Sequence, residues 1–565
     1  MKTALATFFF LFLSNCTFAQ APATNWVFTI NGTGPDAVIA VATDGSGNIY
    51  STGYFSGTID FDPGPGITNL TSRGSNDLYL AKHDSAGRLI WAKSFGGKAF
   101  DYITSLKRDE TGNLLITGSI SDSADLDPGA GSTLIRTSNP AGYDAFLLKT
   151  DSSGNLIFAM HNELITYLET KSDAAKNIYT FGYFFGTCDF DPGVDSFKMT
   201  SAGARDMFIS KFNAAGSFIW ARRIGGTSLD QVNSLAIVDD KLYAAGVFQG
   251  AVDFDPGPGV HTLSGLASKD NGFLMKLDTT GNFIWAKNFS GTDHQAIYRI
   301  IASGGYLYTA SYFVGSVDLD PGPDSLKVAA QGSFDMAVGK YDTSGRLVWA
   351  KAFGGKGSDQ IIDLTQDSLQ TLMVAGYFDS TVDFDPGPGT FNVTVPVRQD
   401  AFLLKMDTAG TFKWVDVLSS NKSDDIRTMA FDPWGNIFIC GEYGDTLDFD
   451  NGPAVHKVPC TGPFDGFLVK LGNNTPPSGV GVHASTMDKG PLLSPNPATN
   501  TLIIEGVEEI CTVRICDMSG RTILSYNSSP FHKMIIDVAS LADGLYFAET
   551  TGKNGAIFKT KFVKI

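Results

Sequence analysis

Short runs of mainly hydrophobic residues, separated by turn residues, make up most of the chain, and residues 361–418 show the pattern clearly. Four runs in this stretch have the length and the β-branched, aromatic character of strands. Pro and Gly at 383–389 cannot continue a central strand and predict a loop, and 408–410 predicts a hairpin turn. Four short antiparallel strands of this kind are typical of one blade of a β-propeller. The predicted strands are 361–367, 371–378, 400–407 and 412–417.

The motif Asp-Phe-Asp-Pro-Gly, or a close variant, recurs seven times at intervals of 64 or 65 residues. Such a period indicates one supersecondary unit copied in tandem. Two other markers keep the same count, a lysine in each third strand and an aromatic residue in each fourth strand. The lysines are Lys82, Lys149, Lys211, Lys276, Lys340, Lys405 and Lys470, and the aromatic residues are Trp26, Trp91, Phe158, Trp220, Trp285, Trp349 and Trp414.

The array opens on a fourth strand, at Trp26, and stops after a third strand, at Leu471. Ring closure requires this offset, because the N-terminal strand can then complete the last blade and leave no free edge. The pattern therefore predicts an all-β protein, with a seven-bladed β-propeller over residues 25–471. The third copy is irregular, since Phe158 replaces Trp and 162–167 replaces the Gly-Gly of other copies. Drift in one copy and a local binding patch are two explanations of this irregularity.

The repeats, with their Asp-x-x-Gly-Asn hairpins at 44–48 and 109–113, resemble the SBBP-type β-propeller repeats of secreted bacterial proteins. The resemblance covers most of the chain. It implies the propeller fold, and that family has no common activity to carry over.

The first nineteen residues have the features of a secretory signal peptide. A basic start precedes an apolar run at 4–13 that is too short to span a membrane, and small residues lead to a cleavage site before Gln20. A lipoprotein signal ending at Cys16 is the alternative, and the polar Asn15 argues against it. No later segment reaches a transmembrane length, so we expect an exported protein that is not transmembrane.

The C-terminal part loses the 65-residue rhythm. Residues 472–490 are rich in Gly, Asn and Pro and predict a linker, and 491–565 contain short alternating strands that predict a small β-sandwich. The predicted strands are 501–504, 511–516 and 533–538.

Three motifs of this tail occur in a specific order. Ser494-Pro495-Asn496-Pro497-Ala498 precedes the first strand, 517–521 forms a hairpin, and 541–546 precedes a later strand. In this order they resemble the type A sorting domain of the type IX secretion system of Bacteroidota. The resemblance implies that the type IX machinery is a partner and that the domain directs passage across the outer membrane. It also implies later removal of the domain, with the protein released or attached at the cell surface.

Composition agrees with an exported β-rich protein. The net charge of −17 argues against nucleic acid, whose phosphates would repel the chain, and 62 glycines and 42 phenylalanines fit a turn-rich β fold. Five cysteines remain after signal cleavage, with no disulfide framework and no zinc spacing. Cys440 and Cys460 fall in the same repeat and could pair, and buried unpaired thiols are the alternative.

Motifs of known catalytic sites are absent from the sequence: there is no Gly-x-Ser-x-Gly elbow, no His-Glu-x-x-His and no phosphate-binding glycine loop. The seven histidines do not follow the period, and we expect them to be surface residues. The sequence therefore favours a monomeric, non-catalytic binding or adhesion module for a glycan or a surface protein. The alternative is a polysaccharide-acting glycosidase or lyase with an acidic site on one propeller face.

Aspartates are the remaining candidate chemistry. The two aspartates of each motif, followed by Pro-Gly carbonyls, offer hard oxygen ligands for a structural Ca²⁺ ion. Aspartates before each blade's first strand, such as Asp101, are expected on the same face. The alternative, that each motif aspartate caps its turn, is favoured because a fold needs the turn in every blade. The candidate metal ligands are Asp60, Asp62, Asp125, Asp127, Asp189, Asp191, Asp253, Asp255, Asp318, Asp320, Asp383, Asp385, Asp448 and Asp450.

Overall fold

The computed structural model describes most of the chain as β-strands joined by turns, and the described residues contain no α-helix. The chain divides into two compact units, Met1–Asn474 and Thr475–Ile565. The predicted all-β class is confirmed. The predicted signal peptide and nearly all of the predicted linker lie outside the described residues. Those described are 21–137, 143–367, 369–395, 399–450, 455–472, 474, 492–494, 499–517, 521–542, 544–552 and 557–564.

The first unit contains, within its described residues, seven antiparallel sets of four strands, which we number as blades 1 to 7. In each blade the first strand is innermost and the fourth outermost. The first strands are Ala37–Thr43, Tyr102–Arg108, Ile165–Ser172, Gln231–Val238, Gln295–Ser303, Gln360–Gln366 and Asp424–Phe431. The second are Ile49–Phe55, Leu114–Ser121, Ile178–Phe184, Lys241–Phe248, Tyr306–Phe313, Leu372–Phe378 and Ile437–Tyr443. The third are Asp77–His83, Tyr143–Thr150, Asp206–Phe212, Asn271–Asp278, Asp335–Asp342, Asp400–Met406 and Asp465–Leu471. The fourth are Leu89–Gly97, Leu156–Glu163, Phe218–Ile224, Phe283–Asn288, Leu347–Phe353, Phe412–Leu418 and, for blade 7, Thr24–Ile30.

The seven blades form a closed ring. Each first strand contacts the first strands of the two neighbouring blades, and that of blade 1 contacts that of blade 7. The strand Thr24–Ile30 pairs with the third strand of blade 7, with Trp26 opposite Lys470. The N-terminus therefore completes the last blade, as the sequence predicts.

The lysine and tryptophan markers hold neighbouring blades together. Lys470 Nζ and Trp26 Nε1 both donate to the backbone carbonyl of Ser85, in the next blade, at 2.8 and 3.4 Å. The same sharing of one carbonyl occurs for Lys211 and Trp220 on Thr279 and for Lys340 and Trp349 on Thr408. The repeat period therefore reflects contacts between blades as well as the strands within each blade.

Each motif lies in a short two-stranded hairpin between the second and third strands, an element that the sequence did not predict. The motif phenylalanine anchors this hairpin, because buried Phe61 packs edge-on against Phe55 with ring centroids 5.4 Å apart. The hairpins are Thr58–Asp60 with Asn69–Thr71, Ser123–Asp125 with Leu134–Arg136, Thr187–Asp189 with Lys198–Thr200, Ala251–Asp253 with Thr262–Ser264, Ser316–Asp318 with Lys327–Ala329, Thr381–Asp383 with Asn392–Thr394, and Leu447–Asp448 with Lys457–Val458.

The second unit forms one five-stranded sheet around a small apolar core that includes Leu502, Val513 and Ile536. The predicted strands 501–504 and 511–516 belong to one long strand, whose pairing register shifts between Glu505 and Ile510. The strands are Leu492–Ser494, Thr501–Cys516, Thr522–Asp537, Gly544–Gly552 and Ile557–Lys564.

Candidate binding face of the propeller

One side of the propeller, which we call the loop face, carries the motif hairpins and the connections between blades. On this face the first motif aspartate caps its own turn. Asp60 Oδ1 accepts the backbone N–H groups of Asp62 and Thr68 at 3.0 and 2.8 Å. The same two bonds occur in all seven copies, at Asp125, Asp189, Asp253, Asp318, Asp383 and Asp448 as well.

The second motif aspartate caps the following turn. Asp62 Oδ1 accepts the N–H of Gly64 at 2.8 Å, and Oδ2 lies 2.1 Å from where a Cβ on Gly66 would be. Glycine lets the carboxylate lie close to the backbone there, and Asp195 and Asp324 hold the same place in two other copies. The bond from the N–H of the glycine two residues later recurs at Asp127, Asp191, Asp255, Asp320 and Asp385.

The motif aspartates therefore show the capping role directly. Within the described part of the chain, none of them belongs to a set of three His, Cys, Asp or Glu side chains whose ligand atoms lie within 4.8 Å of one another. Calcium binding by a pair of aspartates and backbone carbonyls stays a prediction.

The aspartates before the first strands lie on this face, as expected, but they are buried and form no exposed acidic surface. Asp101 is fully buried and accepts the N–H groups of Gly97 and Ser121 at 2.8 and 3.2 Å. Burial raises its pKa to about 7 despite these bonds. Each such carboxylate ties an inter-blade connection to the end of a second strand. The buried set is Asp36, Asp101, Asp230, Asp359 and Asp424.

The inner end of the loop face carries a cluster of tyrosines that sequence reasoning missed. We call Tyr54, Tyr298, Tyr312, Tyr377, Arg427 and Glu442 the mouth cluster, because they lie at the loop-face ends of inner strands around the ring centre. All six side chains are partly exposed. Tyr54, Tyr312, Tyr377 and Glu442 are the penultimate residues of second strands, and Tyr298 and Arg427 occupy bulges in first strands.

The members of the mouth cluster interact with one another. The rings of Tyr298 and Tyr312 lie 6.5 Å apart, and Arg427 is paired with Glu442 and Asp425 at 2.5 and 3.1 Å. Burial and the charge of Glu442 raise the pKa of Tyr54 to about 12, and burial and the charge of Asp425 do the same for Tyr377. The hydroxyls therefore stay protonated, and the cluster offers aromatic faces beside hydrogen-bonding groups.

A periodic signal for these tyrosines exists in the sequence. Gly-Tyr-Phe recurs at the repeat interval at 53–55, 182–184 and 376–378, with Ser-Tyr-Phe at 311–313. An aromatic residue at a strand end is usually assigned to the core. Only the ring arrangement brings several of them to one partly exposed place.

Below the mouth, buried Glu169 holds an ion-pair network whose cations are partly exposed. Glu169 is about 5% exposed and pairs with Lys107 at 2.9 Å and Lys171 at 2.8 Å. Arg299 lies 3.9 Å from Glu169 and 3.3 Å from Asp363. Burial acts to raise the pKa of Glu169, but the three cations outweigh it and lower that pKa. The network connects blades 2, 3, 5 and 6.

The structure also tests the sequence predictions for the histidines and the cysteines. His83 is fully buried beside Phe28, so the prediction of surface histidines is wrong for it, and burial lowers its pKa to about 4. All five described cysteines are free, including Cys440 and Cys460.

Comparison with known proteins identifies the C-terminal domain. Residues 493–564 match the family described as "Secretion system C-terminal sorting domain". This agrees with the motif order of the tail, and the protein is a type IX-sorted protein exported to the cell surface or the extracellular space. No helix in the part that the structure describes is long and apolar enough to cross a membrane.

The propeller unit has more distant relatives. The chain is 23% identical over 530 residues to an uncharacterized WD repeat-containing protein of Acanthamoeba polyphaga mimivirus, covering 79% of this chain and 38% of that protein. It is 26% identical over 314 residues to "Regulatory protein FlaEY" of Caulobacter vibrioides, covering 52% of this chain and 31% of that protein. The chain thus spans less than half the length of these relatives. A crystal structure of the mitotic checkpoint complex covers 84% of this chain and 98% of its own, with 10% identity and a TM-score of 0.39. The fold assignment rests on the strand pairing described above.

Proposed function

We propose that the exported propeller is a non-catalytic binding module and that a glycan binds at the mouth cluster. The observation that carries the proposal is the gathering of partly exposed tyrosines beside an Arg–carboxylate set. Flat aromatic faces bury the apolar face of a sugar ring, and the hydroxyls and charged groups at their edges can bond to its hydroxyls. Asp425 and Glu442 both pair with Arg427, which fits hydrogen bonding to a ligand better than acid–base catalysis.

Binding can be tested with the exported chain on an array of bacterial and host polysaccharides. We expect Tyr377→Ala and Tyr312→Ala each to weaken the captured glycan about tenfold, which corresponds to roughly 1.4 kcal/mol. Tyr306→Ala is the matched control, because Tyr306 begins a second strand and therefore lies at the end away from the loop face. Unchanged affinity in both mouth variants would contradict the proposed site.

The alternative, an enzyme acting on polysaccharides, is tested with the same glycans. A non-catalytic module leaves chain length and reducing ends unchanged after long incubation. Glycan shortening that is lost in Glu442→Gln and retained in Tyr306→Ala would replace the binding proposal with a glycosidase or lyase.

Export predicts defined ends for the mature protein. We expect it to begin near Gln20 and to lack the residues after about 490, because both ends have the features of transport signals. Intact mass of the protein from the cell surface or the medium checks this. A mature species that retained Ile565 would show that the sorting domain is not removed, and one that retained Met1 would contradict the signal peptide.

A further inference from the structure

The irregular segment around Phe158 and 162–167, which forms the fourth strand of blade 2 and the connection after it, brings together three side chains with the chemistry of a metal site. Asp144, on the third strand of blade 2, lies directly opposite Glu163 on the fourth strand, and His161 lies two residues before Glu163 on the same side of that strand. One carboxylate oxygen of each acid and one imidazole nitrogen lie within 4.8 Å of one another. They form the one such group of three among the residues that the structure describes.

Other blades show what normally occupies this place. The aspartate that begins the third strand caps the preceding loop by accepting the N–H four residues earlier, as Asp77 does from Arg73 at 3.0 Å. The residue opposite it is often glycine, and a Cβ on Gly225 would lie 2.4 Å from the carboxylate carbon of Asp206. These blades therefore hold one carboxylate here and leave no space for a second.

Blade 2 breaks both parts of this arrangement. Position 140 is proline, which has no N–H to donate to Asp144, and the glycine position holds Glu163. Asp144 is about 1% exposed, and its Oδ2 has no hydrogen-bond partner, as is also the case for Asp77 Oδ2 and Asp400 Oδ1 in other blades; the feature particular to blade 2 is the second carboxylate. A buried carboxylate oxygen without a partner is costly, and here a second carboxylate faces it.

Blade 6 has the same proline but a neutral residue at the glycine position. Its aspartate, Asp400, also has a proline four residues earlier, Pro396, and the residue at the glycine position is Ser419. The Ser419 hydroxyl donates to Asp400 Oδ2 at 2.6 Å. An ionised Glu163 cannot donate, so the blade 2 pair needs a cation or a shared proton.

We infer that Asp144, His161 and Glu163 bind one Zn²⁺ ion. Two carboxylates and one imidazole suit zinc, whose reactive sites have three protein ligands, whereas an imidazole is a poor ligand for Ca²⁺ or Mg²⁺. Zinc–ligand bonds of about 2.0–2.2 Å require the three atoms to move closer. Glu163 is exposed at the end of its strand and has the freedom to close that distance. The ion compensates the two negative charges and supplies the partner that Asp144 lacks.

One of the three ligands, His161, borders an open groove. This groove is a cleft of about 610 Å³ between the fourth strand of blade 2 and the motif loop of blade 3, which includes Asp191 and Asp195. Three protein ligands leave at least one position on the ion for water or an exogenous ligand from this groove.

Zinc binding is tested with untagged full-length protein that has been stripped with a chelator. Titration of Zn²⁺ against a chromophoric competitor is expected to show one equivalent bound, and Co²⁺ in its place is expected to give visible d–d absorption. Millimolar Ca²⁺ should not displace either ion, which separates this site from the motif aspartates. Absence of a one-equivalent site in the wild-type chain would overturn the proposal and leave the shared proton as the explanation.

Substitutions assign the ligands. Asp144→Asn, His161→Gln and Glu163→Gln are each expected to weaken Zn²⁺ at least tenfold. The matched controls are Asp77→Asn, at the same position of blade 1, and His294→Gln, from the His294–Asp270 pair at 3.3 Å. Because Glu163 is exposed, Glu163→Gln keeps the test informative even if the buried Asp144 variant fails to fold. Wild-type affinity in a folded Glu163→Gln or His161→Gln variant would show that the ion binds elsewhere.

Discussion

At the residue scale, acidic side chains have three different roles in the propeller. Asp60 caps an exposed turn, Asp101 ties two buried segments together, and Glu169 holds cations in the ring centre. The caps could be predicted, because aspartate before Pro and Gly accepts backbone N–H groups in a local turn. The burial of Asp101 could not be predicted, because it depends on how the strands of the folded ring pack over that residue.

The ion-pair network gives a prediction at this scale. Glu169→Gln leaves Lys107, Lys171 and Arg299 close together with one carboxylate fewer in a buried place. Water compensates part of the charge on these partly exposed cations, so the cost is below the roughly 3–5 kcal/mol of a fully buried pair and is about 1–3 kcal/mol. We expect a loss of stability of this order in urea unfolding of the full chain.

The control for this substitution is Glu110→Gln, which changes the same functional groups at an exposed position of the neighbouring blade 2. It should unfold within about 0.5 kcal/mol of the wild type. Equal stability of both variants would mean that water or mobile ions compensate the central cations.

At the element scale, the long strands were predictable and the short ones were not. Runs of seven or eight mainly apolar, β-branched and aromatic residues predict buried strands, whereas Thr381–Asp383 and Asn392–Thr394 contain three residues each and flank a loop. The period also revealed the lysine and tryptophan markers. The carbonyl to which both side chains donate, such as that of Ser85, belongs to the next blade, so the sequence of one repeat does not predict this contact.

Ring closure gives a prediction for a single strand. Deleting residues 20–31 removes Thr24–Ile30 and exposes the third strand of blade 7. Phe28 and Ile30 are buried, so their loss alone is worth about 3–6 kcal/mol, and the open edge can pair with other chains. We expect aggregation or a large fall in melting temperature. Deleting only residues 20–23 leaves the strand in place and serves as the control, and a wild-type melt for the longer deletion would contradict closure by this strand.

The motif hairpins give a prediction about calcium. If the aspartate pairs bind Ca²⁺, millimolar Ca²⁺ should raise the melting temperature of the exported chain and EDTA should lower it. Asp385→Asn separates the two roles, because an asparagine oxygen can still accept the N–H of Gly387 but carries no charge. That variant should keep its stability in EDTA and lose part of the Ca²⁺ effect. No shift of the wild type with Ca²⁺ would leave capping as the role of the motif.

At the scale of the whole molecule, repetition explains both what could be predicted and what could not. The ring follows from a count, since seven copies and an offset start require closure. The mouth cluster combines tyrosines that recur with the repeat and residues such as Arg427 that occur in one blade. The second candidate site depends on a departure from the repeat, because Asp144 lies opposite Glu163 only where the glycine position has changed.

The set of buried aspartates predicts how stability changes with pH. Burial raises the pKa of Asp36, Asp101, Asp359 and Asp424 to about 7 and that of Asp230 to about 6, against 3.8 for an ordinary Asp. Between pH 6 and 8 the folded chain therefore releases protons that the unfolded chain has already lost. Stability falls with rising pH wherever the folded state binds more protons, so this contribution is complete below about pH 4 and is lost as the pH passes about 7.

Thermal melts of the propeller at pH 6 and pH 8 check this expectation. We expect the higher melting temperature at pH 6. Below that pH, His83 opposes the aspartates, because its pKa of about 4 in the folded protein lies below the 6.5 of an ordinary histidine and stability falls as the pH drops between these values. Below about pH 4, protonation of capping aspartates such as Asp109 adds to that loss. The hydrogen bonds of Thr111, Lys149 and Asn113 lower the pKa of Asp109 to about 2 despite burial. Asp101→Asn should reduce the difference in melting temperature between pH 6 and pH 8, because it removes one of the titrating carboxylates. We expect the fold to accept it, since blade 5 already has a neutral residue, Gln295, at this position. A melting temperature that rises from pH 6 to pH 8 would show that these carboxylates are ionised throughout and that their backbone hydrogen bonds outweigh burial.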